Sequence, residues 1–113
     1  MACLFCKIRD REIPATFVHQ DDEVFAIEDI SPQGPVHLLI IPRRHVESAN
    51  ALGEPDEKLT GRLVRVAATL AKSRGVDERG YRLVFNTNGE GGQTVAHLHL
   101  HLIGGRQMQW PPG

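Results

Sequence analysis

The chain has 113 residues, enough for one ordinary domain and too few for two. Thirteen Lys and Arg nearly cancel fourteen Asp and Glu, leaving a formal charge of −1, and 41% of the residues are hydrophobic. Such a chain is globular, neither disordered nor fibrous, and has no broad basic surface for a nucleic-acid polymer or an anionic membrane.

No apolar run approaches the roughly 18 residues that cross a bilayer. MACLFCKIRD at residues 1–10 has no apolar core of a secretion signal. These features predict a cytoplasmic protein, in which Cys3 and Cys6 form a metal or redox pair more readily than a structural disulfide. With no repeat, low-complexity tract or long linker, residues 1–113 read as one domain.

In chain order, residues 3–10 suit one or two helical turns with Leu4, Phe5 and Ile8 on one side. Residues 15–19 and 24–28 are short β-type runs joined by Gln20-Asp21-Asp22, a hairpin pattern. The breaker cluster SPQGP at 31–35 precedes VHLLII at 36–41, a continuous apolar strand that Pro42 stops. A brief helix is expected over 45–52. The clearest helix runs from about residue 55 to residue 74, with Leu59, Leu63, Val66, Ala67, Leu70 and Ala71 on one stripe and Gly75 as its cap. Residues 81–86 read as a strand, 87–93 as a glycine-rich loop, and 95–103 as the last strand. Strands, one long helix and strands again give an α+β fold: an antiparallel sheet with the helix on one face.

Within that last strand, HLHLHLI at 97–103 holds half of the six histidines. Alternation places His97, His99 and His101 on one face and Leu98, Leu100 and Leu102 on the other, where the leucines are core. A merely solvated face would not need three imidazoles. A single three-histidine metal centre is opposed by geometry, because at about 3.3 Å per residue the outer two stand about 13 Å apart. The remaining arrangement is an array in which the imidazoles divide the work. One attacks a phosphorus while a neighbour donates to the phosphoryl oxygens or the leaving group. The adjoining NTNGEGGQT at 86–94 supports this, with glycines that let backbone N–H groups approach a phosphate and Asn86, Gln93 and Thr94 as side-chain donors. Lacking a GK[ST] ending, it is not a Walker loop.

HLHLHLI matches the His-φ-His-φ-His-φ-φ signature of the histidine-triad (HIT) superfamily, and the chain resembles its Hint branch through KIRDREIPA at 7–15, EDISPQGPVHLLIIPRRH at 28–45, GGQTVAHLHLHLIGGRQM at 91–108 and WPPG at 110–113. The resemblance implies a five-stranded antiparallel sheet with one long and one short N-terminal helix, two such sheets joining in a homodimer. It also implies hydrolysis of purine nucleoside 5′-phosphoramidates through a covalent nucleotidyl-histidine. On its motif His99 would be the nucleophile, His101 would contact the phosphate, and His37 would support the nucleophile from the neighbouring strand. Asn86, Gly92 and Thr94 would surround the phosphate, and Asp29 would accept from the ribose hydroxyls. Leu4, Phe5, Ile8, Ile27 and Ile30 would line the base pocket, and Trp110 would reach the partner's site. Thr94 stands where many relatives have serine, and Ile27 is aliphatic where relatives can be aromatic; both bear on substrate preference.

Cys3 and Cys6 have C-x₂-C spacing, but zinc needs two more ligands. The resemblance supplies them as His45 and His97, giving a structural zinc that clamps the N-terminus and leaves His99 and His101 for chemistry. The competing expectations are a dinucleoside polyphosphate hydrolase or nucleotidyl transferase of the same superfamily, and a nucleotide-binding regulatory or scaffold protein.

Overall fold

In a computed structural model, which describes residues 3–113, the chain opens with helix α1 (Leu4–Arg9). The Sγ of Cys3 accepts from the Cys6 N–H at its start, and Phe5 and Ile8, three residues apart, are its buried face. Strands β1 (Phe17–Gln20) and β2 (Val24–Glu28) form the expected hairpin. The Asp21 carboxylate closes the turn by accepting the N–H groups of Glu23 and Val24, each at 2.8 Å. It also pairs with His19 at 2.6 Å and with Arg62 at 2.7 Å. His19 thus serves the hairpin.

Strand β3 (Val36–Pro42) is buried along nearly its whole length, which is why its sequence is apolar at every position except His37. The short helix expected over 45–52 reduces to a 3₁₀ turn at Ala49–Ala51. A second such turn, Glu54–Asp56, precedes helix α2 (Glu57–Ser73). The helix therefore starts two residues later than its periodicity suggests, because Asp56 turns its carboxylate back onto the Gly53 N–H at 2.8 Å. Leu63, Val66, Ala67, Leu70 and Ala71 are buried as expected, and Gly75 ends the helix with φ +72°.

Strands β4 (Tyr81–Phe85) and β5 (Leu100–Gly104) complete one antiparallel sheet in the order β1-β2-β3-β5-β4. The last strand is shorter than its alternating sequence predicts: residues 95–99 are not laddered. The β3–β5 register pairs Ile40 with Leu100 and, continued, would bring Leu98 opposite Pro42. Pro42 has no N–H, its carbonyl is taken by His97 Nε2 at 2.8 Å, and the Leu98 N–H bonds to the Val46 carbonyl instead.

Alternation nevertheless persists through residue 97. Leu98, Leu100 and Leu102 join Leu38, Ile40 and the α2 stripe in one core between helix and sheet. Fully burying each leucine contributes about 1.5–3 kcal/mol. On the other face Phe5, Ile8, Phe25, Ile27, Leu39 and Ile41 make a second, smaller cluster beneath α1. The histidines share this face.

Candidate active site and metal centre

His99 is 6% exposed, and its Nδ1 lies 2.8 Å from the main-chain carbonyl of His97. A carbonyl oxygen only accepts, so Nδ1 carries the proton and Nε2 keeps a bare lone pair. His37 shows the opposite arrangement. Its Nδ1 accepts the Gln33 N–H at 3.0 Å, so the proton of the neutral ring is on Nε2. That Nε2 lies 2.9 Å from His101 Nδ1, which must therefore accept, leaving the proton of neutral His101 on its own Nε2. Asp29 stands behind the pair, with Oδ2 at 3.3 Å from His37 Nε2 and Oδ1 fixed by the Ser31 N–H at 2.7 Å.

Burial keeps these rings neutral. It pushes His101 down to about 4, helped by the neighbouring His99 and His37. It also lowers His37, against the pull of Asp29, and His99, against its bond to the His97 carbonyl. With ring centroids of His99 and His101 4.9 Å apart, a lone pair and an N–H donor stand side by side.

Phe5 meets the His99 ring edge-on at 4.9 Å, connecting the histidines to the apolar cluster. Phe5, Ile8 and Ile27 are brought together there as the sequence suggests, and Leu39, in register with His101, and Ile13 join them. Leu39 was hidden in the sequence because VHLLII is apolar at every position but one, so no period separates its faces. Leu4 is 43% exposed, Ile30 97% and Trp110 83%; all three lie on the surface of the single chain.

The glycine-rich segment is a turn-rich loop after β4, with Asn86 partly buried and Gly92 and Thr94 exposed. Thr94 lines an open groove of about 510 Å³ with Leu4 and Val95. Gln93 holds this loop in shape. Its amide donates to the carbonyls of Glu47 and Val95 at 2.8 and 2.9 Å, and its Oε1 accepts the Asn88 N–H at 2.9 Å. Gly91 is packed so closely on the Thr87 backbone that any β-carbon would overlap it. Gly91→Ala should therefore displace the loop and, if the loop cradles a phosphate as the resemblance implies, weaken AMP binding by at least about tenfold, of the order expected when one or two donors to a phosphate are lost. Calorimetric titration would measure this, with an unchanged melting curve separating it from loss of the fold.

Among the described residues, two groups of side chains are close enough to hold a metal. In the first, Cys3 Sγ lies 3.4 Å and Cys6 Sγ 3.6 Å from His97 Nδ1, Cys6 Sγ lies 3.5 Å from His45 Nδ1, and the two Nδ1 atoms are 3.1 Å apart. Tetrahedral zinc, with bonds of about 2.3 Å to sulfur and 2.0–2.1 Å to nitrogen, gives S···N edges of about 3.6 Å and N···N edges of about 3.3 Å. The outer proton also fits: His97 donates its Nε2–H to the Pro42 carbonyl, leaving Nδ1 free to ligate. These four residues suit zinc.

The second group, Asp29, His37 and His101, does not. A metal-bound imidazole needs a proton on its other nitrogen, whereas His37 Nδ1 accepts from Gln33, so a metal at Nε2 would break that bond.

Three imidazoles, His97, His99 and His101, alternating with buried leucines and facing one side of the sheet, define a histidine-triad domain. The chain belongs to the HIT domain family, whose model matches residues 10–108. It is 50% identical over 105 residues to the purine nucleoside phosphoramidase of Escherichia coli (strain K12), covering 93% of this chain and 88% of that protein. It is 49% identical over 113 residues to the 14 kDa zinc-binding protein of Brassica juncea, covering 97% and 98% of the two chains. Among solved structures, that of a HIT family hydrolase from Legionella pneumophila Philadelphia 1 is 54% identical with a TM-score of 0.97, covering 99% of this chain and 100% of that one.

Proposed function

We propose that the protein hydrolyses purine nucleoside 5′-phosphoramidates through a nucleotidyl-histidine formed on His99. The observation that carries this reading is the bare Nε2 of buried His99 beside the protonated Nε2 of His101. In the first step the His99 Nε2 lone pair attacks phosphorus, the P–N bond breaks, and the departing amine nitrogen takes up a proton from solvent, which the attacking water of the second step gives back. His101 Nε2–H donates to a phosphoryl oxygen as its charge grows, and His37, backed by Asp29, fixes the His101 tautomer. In the second step water displaces Nε2 from phosphorus, releasing the nucleoside 5′-monophosphate and restoring the imidazole.

Asn86, Gly92 and Thr94 would surround the phosphate, with Gln93 as the strut of their loop. Asp29 would also accept from the ribose. Phe5, Ile8 and Ile27, with Leu39, would form the wall under the base, Leu4 and Ile30 its rim. Cys3, Cys6, His45 and His97 would hold a structural zinc, which fixes the N-terminus and takes no part in these steps. A cytoplasmic location, where the two thiols stay reduced, belongs to the same reading.

The domain would work as a homodimer. Strand β4 is a sheet edge with half-buried side chains, a template for a second copy, and exposed Trp110 would then reach the partner's site. Light scattering should return twice the chain mass at micromolar concentration; a monomer would count against it.

The test of the activity is a side-by-side comparison of kcat/KM on adenosine phosphoramidate and on a diadenosine polyphosphate. A preference of at least about a hundredfold for the phosphoramidate is expected, corresponding to about 2.7 kcal/mol of transition-state discrimination. The reverse preference would make the protein a polyphosphate hydrolase, and no turnover of either would favour a binding protein.

A further inference from the structure

His97 belongs to two sites at once. Its ring is fully buried, with Nδ1 among Cys3, Cys6 and His45 and Nε2–H on the Pro42 carbonyl. Its main-chain carbonyl is the acceptor, at 2.8 Å, that keeps the proton on His99 Nδ1. The Leu98 N–H, between these two histidines, is tied to the Val46 carbonyl at 2.6 Å. The carbonyl of His97 is thus held between a fixed ring and a fixed amide.

A second contact runs from the same cluster to the same ring. Phe5 lies on α1 between Cys3 and Cys6 and meets His97 edge-on at 5.9 Å and His99 edge-on at 4.9 Å. Where the two cysteines sit therefore decides where the aromatic wall against His99 sits.

We infer that the Cys3–Cys6–His45–His97 cluster is the positioning device of the His99 imidazole, through the His97 carbonyl and the Phe5 ring. With a metal held by the four donors, His99 is confined to the tautomer whose Nε2 is bare. When the cluster is empty, the His97 ring keeps its Nε2–H bond to the Pro42 carbonyl but loses its tie to α1, its main-chain carbonyl gains freedom to tilt off Nδ1, and the Nε2–H tautomer of His99, which has no lone pair at the attacking atom, gains population. His97 is a positioning residue in this scheme, and Phe5 positions the His99 ring besides lining the proposed base wall. The inference rests on the reading of His99 as nucleophile only for its kinetic consequence; the tautomer is a property of the free protein.

The experiment uses histidine-¹⁵N-labelled full-length protein, zinc-loaded and then stripped with a chelator, at a temperature where circular dichroism shows both forms folded. Two-bond ¹H–¹⁵N spectra should give His99 as the pure Nδ1–H tautomer with zinc and as a mixture without it. The kcat on a phosphoramidate should fall about tenfold on stripping, with KM changed by less than about threefold, and return on adding zinc. A stripped, folded protein that keeps the pure Nδ1–H signal and an unchanged kcat overturns the inference. If stripping unfolds the chain, His45→Ala, which leaves three donors, serves instead: a mixed His99 signal supports the coupling and a pure one overturns it. Adenylyl label found on another residue would refute the nucleophile assignment while leaving the tautomer result standing.

Discussion

His99→Ala should lower kcat on an adenylated amine by at least ~10³-fold, the range expected when a covalent nucleophile is removed. AMP should still bind within about threefold of the parent, because the side chains proposed to hold base and ribose, Phe5, Ile8, Ile27 and Asp29, are all retained, and only Phe5 loses a neighbour with the ring. His101→Ala removes one donor to the growing phosphoryl charge and should cost about 10²-fold, short of the loss of the attacking atom. Rapid quenching of the parent with substrate should trap one acid-labile adenylyl group on the peptide containing residue 99. Near-normal turnover by His99→Ala, or a label elsewhere, would end this assignment. The pH dependence has a definite sign. His101 is pushed down to about 4, mainly by burial, from an unfolded value near 6.5. Protonating it occupies Nδ1 and breaks the bond from His37. The stability contributed by the neutral pair is therefore complete above about 6.5 and lost as the pH falls from there toward 4. The acid limb of kcat/KM reports the folded enzyme alone and should therefore lie near 4, below the ordinary histidine range.

Much of this site could be read directly from the chain because its chemistry is written at fixed sequence spacings. The alternation of HLHLHLI put three imidazoles on one face and three leucines on the other, and that division survives even where the ladder has ended at Pro42. The long helix followed from its stripe and the hairpin from its turn residues. What the sequence could not give was the state of each ring. Whether His99 bears its proton on Nδ1 depends on a carbonyl two residues away, and whether His101 bears it on Nε2 depends on the Gln33 amide reached through His37. Those are contacts between main chain and ring, with no side-chain signature. Gln93 is the converse: a plausible phosphate donor by type, its amide is directed inward onto Glu47 and Val95 by the fold of its loop. Leu39 was concealed for a third reason, since in a strand buried on both faces the single polar position, His37, is too little to set a period.

Purified without chelator, the protein should carry one zinc per chain, and stripping it should lower the melting temperature by roughly 10 °C. The size follows from linkage: metal in hundredfold excess over its dissociation constant stabilises the folded state by about 2.7 kcal/mol, and each 1 kcal/mol moves Tm by about 4 °C in a domain of this length. The case against a redox pair is electrostatic. Burial raises the Cys6 thiol, and the neighbouring Cys3 raises it further, so the free pair is a poor source of thiolate. A divalent metal supplies the positive charge that two thiolates and two neutral imidazoles need, and His97, pushed down to about 4 mainly by burial, presents a neutral ring at physiological pH. The loss should begin at the N-terminus, because α1 is only six residues long and is otherwise held mainly by Phe5 and Ile8. In the stripped protein, hydrogen exchange of the α1 amides should accelerate before that of α2, whose face is buried in the larger core. Metal analysis finding no zinc, with both thiols titrating freely in the folded protein, would show instead that Cys3 and Cys6 are ordinary packing residues.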